Sequence, residues 1–526
     1  MKAMLEILAE SALRFGDRPA LLAPDDRGDR VISYRELERQ ALLAAGGLGR
    51  LGLRRGDAIA LWLPNIPEWV VLEFAAAALG LLVVGVNTRY RSGELDGILG
   101  TARPRCLVVQ PDFLGIDFRG MIASSRGDRG APLHVVELPR GYRDLLTGHD
   151  SRRAPEGTPD DLVNVFTTSG TTAAPKLAAH SQDSIVTHAY RVAQGFDFAP
   201  GTAMLCVLPF NGVFGFSSLM GALVGGATCI LQTTFDAARA LKMMARCGVT
   251  HLNGSDAMLE ALLRVPEFDY TRLGLRAGGW ADFNGGLPEG LRALEERTGR
   301  RMGGLGGTYG SSELFALLSR WPAEEPLEAR ARPGGRLLSD EIDVRAVDPA
   351  TGRVLAGGEP GELQFRGYPV MTAYLRDPQA TADATTEDGW FRSGDLGYSI
   401  DARSFVYLAR IKDSLRLSGF LVDPREIEEF LAGHEAVERA QVVAISLPGQ
   451  GDVPVAFVKL RAAAGPGEEA LIAYCRRSIA AYKVPRHVFF VNAFPTTPSP
   501  NGDKIQKARL RHMAADYIAA LDRPSR

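Results

Sequence analysis

Val165 to Lys176 reads V-F-T-T-S-G-T-T-A-A-P-K, and the apolar run Leu162 to Phe166 that leads into it suits a buried strand. Beyond the strand, Thr167, Thr168, Ser169, Thr171 and Thr172 crowd around Gly170 before the segment closes on Pro175 and Lys176. Hydroxyls, backbone N–H groups and a cation are what an anionic phosphate chain requires. The rival is a P-loop, whose G-x-x-x-x-G-K-[ST] pattern needs a second glycine before the lysine and a hydroxyl after it. Pro175 and Leu177 stand at those places. Taken alone, such a cluster also reads as a polar surface turn.

Outward from this stretch the chain alternates helices and apolar strands. Upstream, Ser33 is a plausible N-cap with Glu36 completing a capping box, and Leu37, Ala41 and Ala44 recur at helical spacing. Arg55-Gly56-Asp57 turns the chain into a short strand, Ala58 to Leu63. Trp69 to Val86 is the longest apolar stretch, but Glu73, Gly80 and Gly85 break it. With Pro67 in a first helical turn and Leu81 to Val86 as a strand, it is a helix-strand unit and not a membrane span. This pattern predicts a layered α/β architecture. Ser124 to Gly130 reads as exposed loop.

A chain of 526 residues exceeds one core, since single cores stop growing at about 250–300 residues, so at least two domains are expected. The 46% hydrophobic and 23% charged content is ordinary for a globular protein, and a net charge of -2 carries no footprint for nucleic acid or an anionic membrane. Glu6 and Glu10 interrupt what would be a signal peptide's apolar region, which argues against export. Five scattered cysteines fit reduced thiols in a cytoplasmic protein, and neither they nor the eight histidines show metal-ligand spacing.

From the phosphate loop onward the sequence resembles the adenylate-forming enzymes: acyl-CoA and aryl-CoA synthetases, peptide synthetase adenylation domains and luciferases. The resemblance covers nearly the whole chain, because the family's segments follow in order, and it is most like an acyl-CoA synthetase. It implies a large α/β N-terminal domain of several subdomains, residues 1–411, and a small mobile α+β domain, residues 412–526. Thr168, Ser169, Gly170, Thr171, Thr172 and Lys176 then bind ATP phosphates, with Ala173 replacing the family's usual glycine. In G-T-Y-G-S-S-E, Gly307, Thr308, Gly310 and Ser311 frame the nucleotide. Tyr309 stacks on adenine, Ser312 approaches the α-phosphate, and Glu313 is the Mg²⁺ ligand. Gly278 and Gly279, in the turn A-G-G-W, approach the base. Gly361-Glu362-Leu363, Gly367 and Tyr374 match a structural segment rich in turns. Asp395 accepts from the ribose hydroxyls, Arg410 lies near the ribose, and Lys412 is the hinge.

The same resemblance places the acid between L-P-F-N-G-V-F-G-F and H-L-N-G-S-D-A-M. Phe210, Phe214 and Phe216, with Gly215, either line an apolar slot or pack in the core. Asn211 stands where peptide synthetases carry an aspartate for the substrate's amino group, which argues against an α-amino acid. Ser255 and Asp256 are either a polar feature of the pocket or a helix cap, and Trp280 either meets the purine or narrows the acyl tunnel.

Lys504 matches the late catalytic lysine, and Ser418-Gly419 the acceptor's tunnel. The implied reaction has two steps: a carboxylate attacks MgATP to give an acyl-adenylate and pyrophosphate, then the thiol of coenzyme A takes the acyl group. Lys504, Glu313, Lys176 and Thr172 are its catalytic residues. Transfer to an acyl carrier protein is the alternative within the family. A nucleotide-binding protein without ligase activity, disabled by the departures at Ala173, Asn211 and Trp280, is the alternative outside it.

Overall fold

A computed structural model describes residues 1–24, 28–90, 92–111, 113–124, 134–147, 156–168, 176–283, 285–417, 420–447, 451–462, 465–497 and 504–521. Packing divides the chain into two compact units. One comprises Met1–Asp282, Gly286–Asp343 and Arg366–Phe391; the other Phe283–Gly285, Val344–Phe365 and Arg392–Arg526.

The strand anticipated ahead of the phosphate loop is present as Leu162–Thr167. It lies inside a seven-stranded sheet of the first unit, ordered Ala373–Tyr374, Leu177–Ser181, Leu162–Thr167, Leu82–Gly85, Ala58–Trp62, Cys106–Val109 and His134–Glu137. From Leu162–Thr167 to His134–Glu137 the neighbours are parallel. Leu177–Ser181 returns antiparallel, and Ala373–Tyr374 adds antiparallel to it. The phosphate loop therefore connects two adjacent antiparallel strands.

Helix Pro67–Ala78 makes the crossover between Ala58–Trp62 and Leu82–Gly85, with Pro67 in the first turn, where a missing N–H costs nothing. Nearly every residue of this helix is buried, which explains why its sequence is apolar all round. Helix Tyr34–Arg50 packs beside it and is capped by Ser33, whose Oγ accepts from the Glu36 amide at 3.2 Å, while the Glu36 carboxylate, expected to complete a capping box, binds Arg39 and Gln40 instead.

A second sheet runs Arg30–Ser33, Pro19–Ala23, Thr228–Leu231 and Ala203–Cys206. His251 bridges Met204 and Ala277, carrying this sheet on to three parallel strands, Gly254–Ser255, Ala277–Ala281 and Gly304–Gly307. This corrects one expectation: A-G-G-W opens the strand Ala277–Ala281 and is not a turn. The glycines answer to crowding, since a Cβ on Gly278 would run into the carbonyl of Leu252 and one on Gly279 into Leu317.

In the second unit, Phe391–Ser399 pairs antiparallel with Ser404–Arg410. After a short hairpin, Leu415–Leu417 with Phe420–Val422, come the strands Val437–Leu447 and Gly451–Leu460, with His487–Phe490 parallel to the latter. Helix Pro424–Ala432 is capped by Asp423, whose carboxylate accepts from the Arg425 amide at 2.9 Å. The helix expected over 470–480 spans Glu468–Arg476. Its last turn tightens as the amides of Ser478 and Ile479 both donate to the Cys475 carbonyl, and Pro485 keeps Val484 out of helical geometry. Among the described residues no helix is long and apolar enough to cross a membrane.

Candidate active site

The two strands that carry the phosphate loop are tied at its mouth by the Thr168 amide, which donates to the Lys176 carbonyl at 2.9 Å. Ser169, Gly170, Thr171, Thr172 and Ala173 lie outside the described residues. Lys176 is exposed, and its ammonium stands 4.8 Å from the ring centroid of Tyr374. The Tyr374 hydroxyl donates to Glu313 Oε1 at 2.8 Å, so the loop's lysine and the motif's carboxylate meet on one aromatic ring. Tyr374 is held there by its strand pairing with Ala178 and by its amide, which donates to Thr381 Oγ1 at 2.9 Å.

Ser312 is bound from both strands of the loop. Its Oγ donates to the Thr167 carbonyl at 3.0 Å, and its own carbonyl lies 2.8 Å from His180 Nε2. A carbonyl only accepts, so Nε2 carries the proton. The Glu313 carbonyl accepts from the Met371 amide at 2.7 Å. Gly310 admits this tight turn because a Cβ there would strike Phe315 and Ala316 backbone. Downstream, Phe315 and Leu317 adopt φ of 60° and 62°, a left-handed region that costs an L-residue about 1–2 kcal/mol. His188 compensates: Nε2 lies 2.7 Å from the Ala316 carbonyl, and its ring stacks on Phe315 at 4.9 Å. Burial drives both imidazoles down to a pKa of about 4, so they are neutral near pH 7.

Thr308 and Tyr309 follow the strand Gly304–Gly307, at the carboxyl end of a parallel sheet where ligands of α/β proteins bind. Tyr309 is buried, and its carbonyl accepts from Leu318 N at 3.0 Å. Gly279 donates its amide to Asn253 Oδ1 at 2.7 Å, and Asn253 Nδ2 reaches Ser218 Oγ at 2.9 Å. This buried link between the glycine strand and helix Val213–Gly225 had no signature in the sequence.

The residues assigned to the acid are placed by packing. Asn65 holds the entry to the segment, donating to the carbonyls of Cys206 and Leu208 at 3.1 and 2.9 Å and accepting from Phe210 N at 3.0 Å. The ring of Phe210 packs on Trp69, and Phe216 packs on Trp69 and Phe166, so both belong to the hydrophobic core. Phe214 is buried with them. Asn211 is buried against Gly85, and Gly215 abuts the carbonyls of Leu208 and Pro209. Trp280 has no exposed surface and lies over Gly254 in the core. Ser255 caps helix Asp256–Leu263, its Oγ accepting from Met258 N at 3.4 Å, and Asp256 is buried in the first turn.

Comparison with known proteins supplies the context for this geometry. The sequence matches the AMP-binding enzyme family over residues 8–375 and its C-terminal domain over residues 426–500. The chain belongs to the AMP-binding enzyme family. A putative acyl-CoA synthetase, YngI of Bacillus subtilis, is 30% identical, with 97% of each chain covered. The mitochondrial medium-chain acyl-CoA ligase ACSF2 of Rattus norvegicus is 29% identical over 98% of this chain and 88% of its own. Among solved structures, ATP-bound MatB from Rhodopseudomonas palustris superposes with a TM-score of 0.85 at 27% identity, covering 98% of this chain and 100% of that one. The resemblance to acyl-CoA synthetases and the α/β fold with a smaller C-terminal domain are thus established.

In the second unit, the two positions expected near the ribose, Asp395 and Arg410, sit side by side. Asp395 pairs in register with Arg410, whose Nε lies 3.0 Å from Asp395 Oδ1. Arg410 also donates to the Ser393 carbonyl at 3.2 Å. Lys412 follows in a single 3₁₀ turn, Ile411–Asp413, and its carbonyl accepts from Arg511 at 3.2 Å. Ser418 and Gly419 lie outside the described residues. Lys504 falls on the two-residue strand Lys504–Ile505, paired with Thr496–Thr497.

Proposed function

We propose that this chain is an AMP-forming acid–thiol ligase that activates a fatty, aryl or alicyclic carboxylic acid with ATP and passes the acyl group to coenzyme A. The observation that carries the reading is the meeting of Lys176 and Glu313 on Tyr374, with Ser312 bonded to both strands of the phosphate loop. A cation and a carboxylate brought together beside a hydroxyl-rich sequence are the parts that in-line attack on a phosphate needs, since such a displacement depends on positioning and charge neutralisation rather than a protein nucleophile.

In the first step Lys176 and the loop hydroxyls, Thr172 among them, hold the triphosphate while Lys504 stabilises the charge that grows on the α-phosphate and the leaving pyrophosphate. Glu313 fits a Mg²⁺ ion carried by the triphosphate, because Mg²⁺ is commonly bound by one or two carboxylates plus substrate phosphates. The ribose hydroxyls go to Asp395 and Arg410. In the second step residues 412–526 turn about Lys412, withdraw Lys504 and present Ser418-Gly419, so that the thiol attacks the acyl-adenylate in the same site. The neutral amide of Asn211 gives an α-ammonium group no ion pair, which favours acids without one. The setting is the cytoplasm.

The test is carboxylate-dependent exchange of labelled pyrophosphate into ATP across fatty, aryl and alicyclic acids, followed by thioester formation with coenzyme A. Exchange with at least one class, and a thioester from the same acid, is the expected result. Silence across the panel would leave a nucleotide-binding protein.

A further inference from the structure

Two of the eight histidines converge, with Phe315, on the turn that carries Ser312 and Glu313. We propose that His180 and His188 are positioning residues for the nucleotide's phosphates, holding Ser312 and Glu313 against the strands of the phosphate loop. The inference rests on the ligase reading for what the site binds.

His180 stands four residues after Lys176 on the strand Leu177–Ser181 and bonds the Ser312 carbonyl. Ser312 Oγ reaches the opposite strand at Thr167, so one residue is fixed to both sides of the loop's mouth. His188 lies in the helix that follows, Gln182–Gly195, and bonds the Ala316 carbonyl four residues further along the same turn. Both imidazoles rest on the Phe315 ring, at 4.1 and 4.9 Å, and His188 Nδ1 lies 3.2 Å from the Tyr368 hydroxyl. Phe315 and Leu317 hold left-handed backbone that neither would choose alone, so the turn depends on what surrounds it.

Ordinary core histidines would satisfy any nearby acceptor. These two aim their Nε2–H groups at carbonyls of a single short segment, the one bearing the predicted phosphate and metal contacts. Buried and neutral, they lend the site geometry and no charge. The turn is thereby tied to the strand that follows Lys176, and disturbance of His180 moves the predicted phosphate and metal contacts together.

The experiment compares His180→Phe, which keeps a ring and removes the donor, with His180→Gln, whose amide nitrogen takes the place of Nε2. MgATP dissociation constants are measured by calorimetry, and the KM of the acid by pyrophosphate exchange. H180F should weaken MgATP about tenfold while the acid's KM stays within about twofold, and H180Q should recover most of the loss. If H180F does not fold, His180→Asn replaces it, because its shorter amide cannot reach Ser312. Equal MgATP affinities for the two variants, or no weakening by either, would overturn the proposal. A wild-type chain that binds MgATP yet supports no exchange would overturn the ligase reading while these affinities still decide the role of His180. A wild-type chain that binds no MgATP overturns both.

Discussion

Glu73 is fully enclosed in helix Pro67–Ala78. Burial raises its pKa well above the ordinary carboxylate value, so the native chain keeps it protonated while the unfolded chain ionises it. The sign follows: this contribution is fully present below the unfolded pKa and is lost as pH rises. Glu73→Gln is therefore expected to raise the melting temperature at pH 8, with the gain shrinking towards pH 4 in a thermal unfolding series. A lower Tm at pH 8 would contradict the assignment. Lys504 belongs to the same scale on functional grounds. Lys504→Ala should cut adenylate formation about a hundredfold or more while thioester formation from supplied acyl-adenylate survives, read by separate half-reaction assays. Equal loss in both steps would count against its role. Single residues were legible in the sequence where a motif surrounded them and the fold then joined them, as for Lys176 and Glu313, which meet on Tyr374. His180 was not, because one histidine on an apolar strand carries no pattern until its partner at Ser312 is folded against it.

Elements were read well where periodicity and caps agreed. Helix Tyr34–Arg50, helix Pro67–Ala78 and the strand before the phosphate loop all lie where their patterns placed them. The glycine strand Ala277–Ala281 was misread, since local preference makes paired glycines a turn while close approach of Leu252 and Leu317 makes them a strand. Gly278→Ala tests that reason: its methyl would run into the Leu252 backbone carbonyl, with Leu305 Cδ2 also close, and overpacking of this kind costs about 1–3 kcal/mol. The variant should melt at a lower temperature than the wild type, whereas Gly299→Ala, with nothing within 4 Å of the added carbon, should show only the cost of its left-handed backbone. Comparable losses at the two positions would mean that the contact with Leu252 costs no more than a left-handed backbone does.

Across the molecule, His251 joins the two parts of the second sheet, with Nε2 2.7 Å from the Phe196 carbonyl and its ring stacked on Phe198 at 4.4 Å. Burial lowers its pKa to about 4, below that of an unfolded histidine. A depressed histidine stabilises the fold above the unfolded pKa, and the stability is lost as pH falls through the window from about 6.5 to about 4, where the unfolded chain binds the extra proton. His251→Gln should then melt below wild type at pH 8, with the gap narrowing as pH falls to about 4.5, followed by calorimetric Tm. A gap that widens on acidification would exclude a neutral His251.

By itself the sequence determined the fold class and the family, because hydrophobic period, capping residues and ordered motifs are local in the chain. Tertiary structure alone decided which of those residues meet. It set Lys176 and Glu313 on the two sides of Tyr374's function, ring and hydroxyl, and sent Phe210, Phe216 and Trp280 into the core. Burial and hydrogen-bond partnership depend on residues more than a hundred positions apart, such as Thr167 and Ser312, and no local pattern records them.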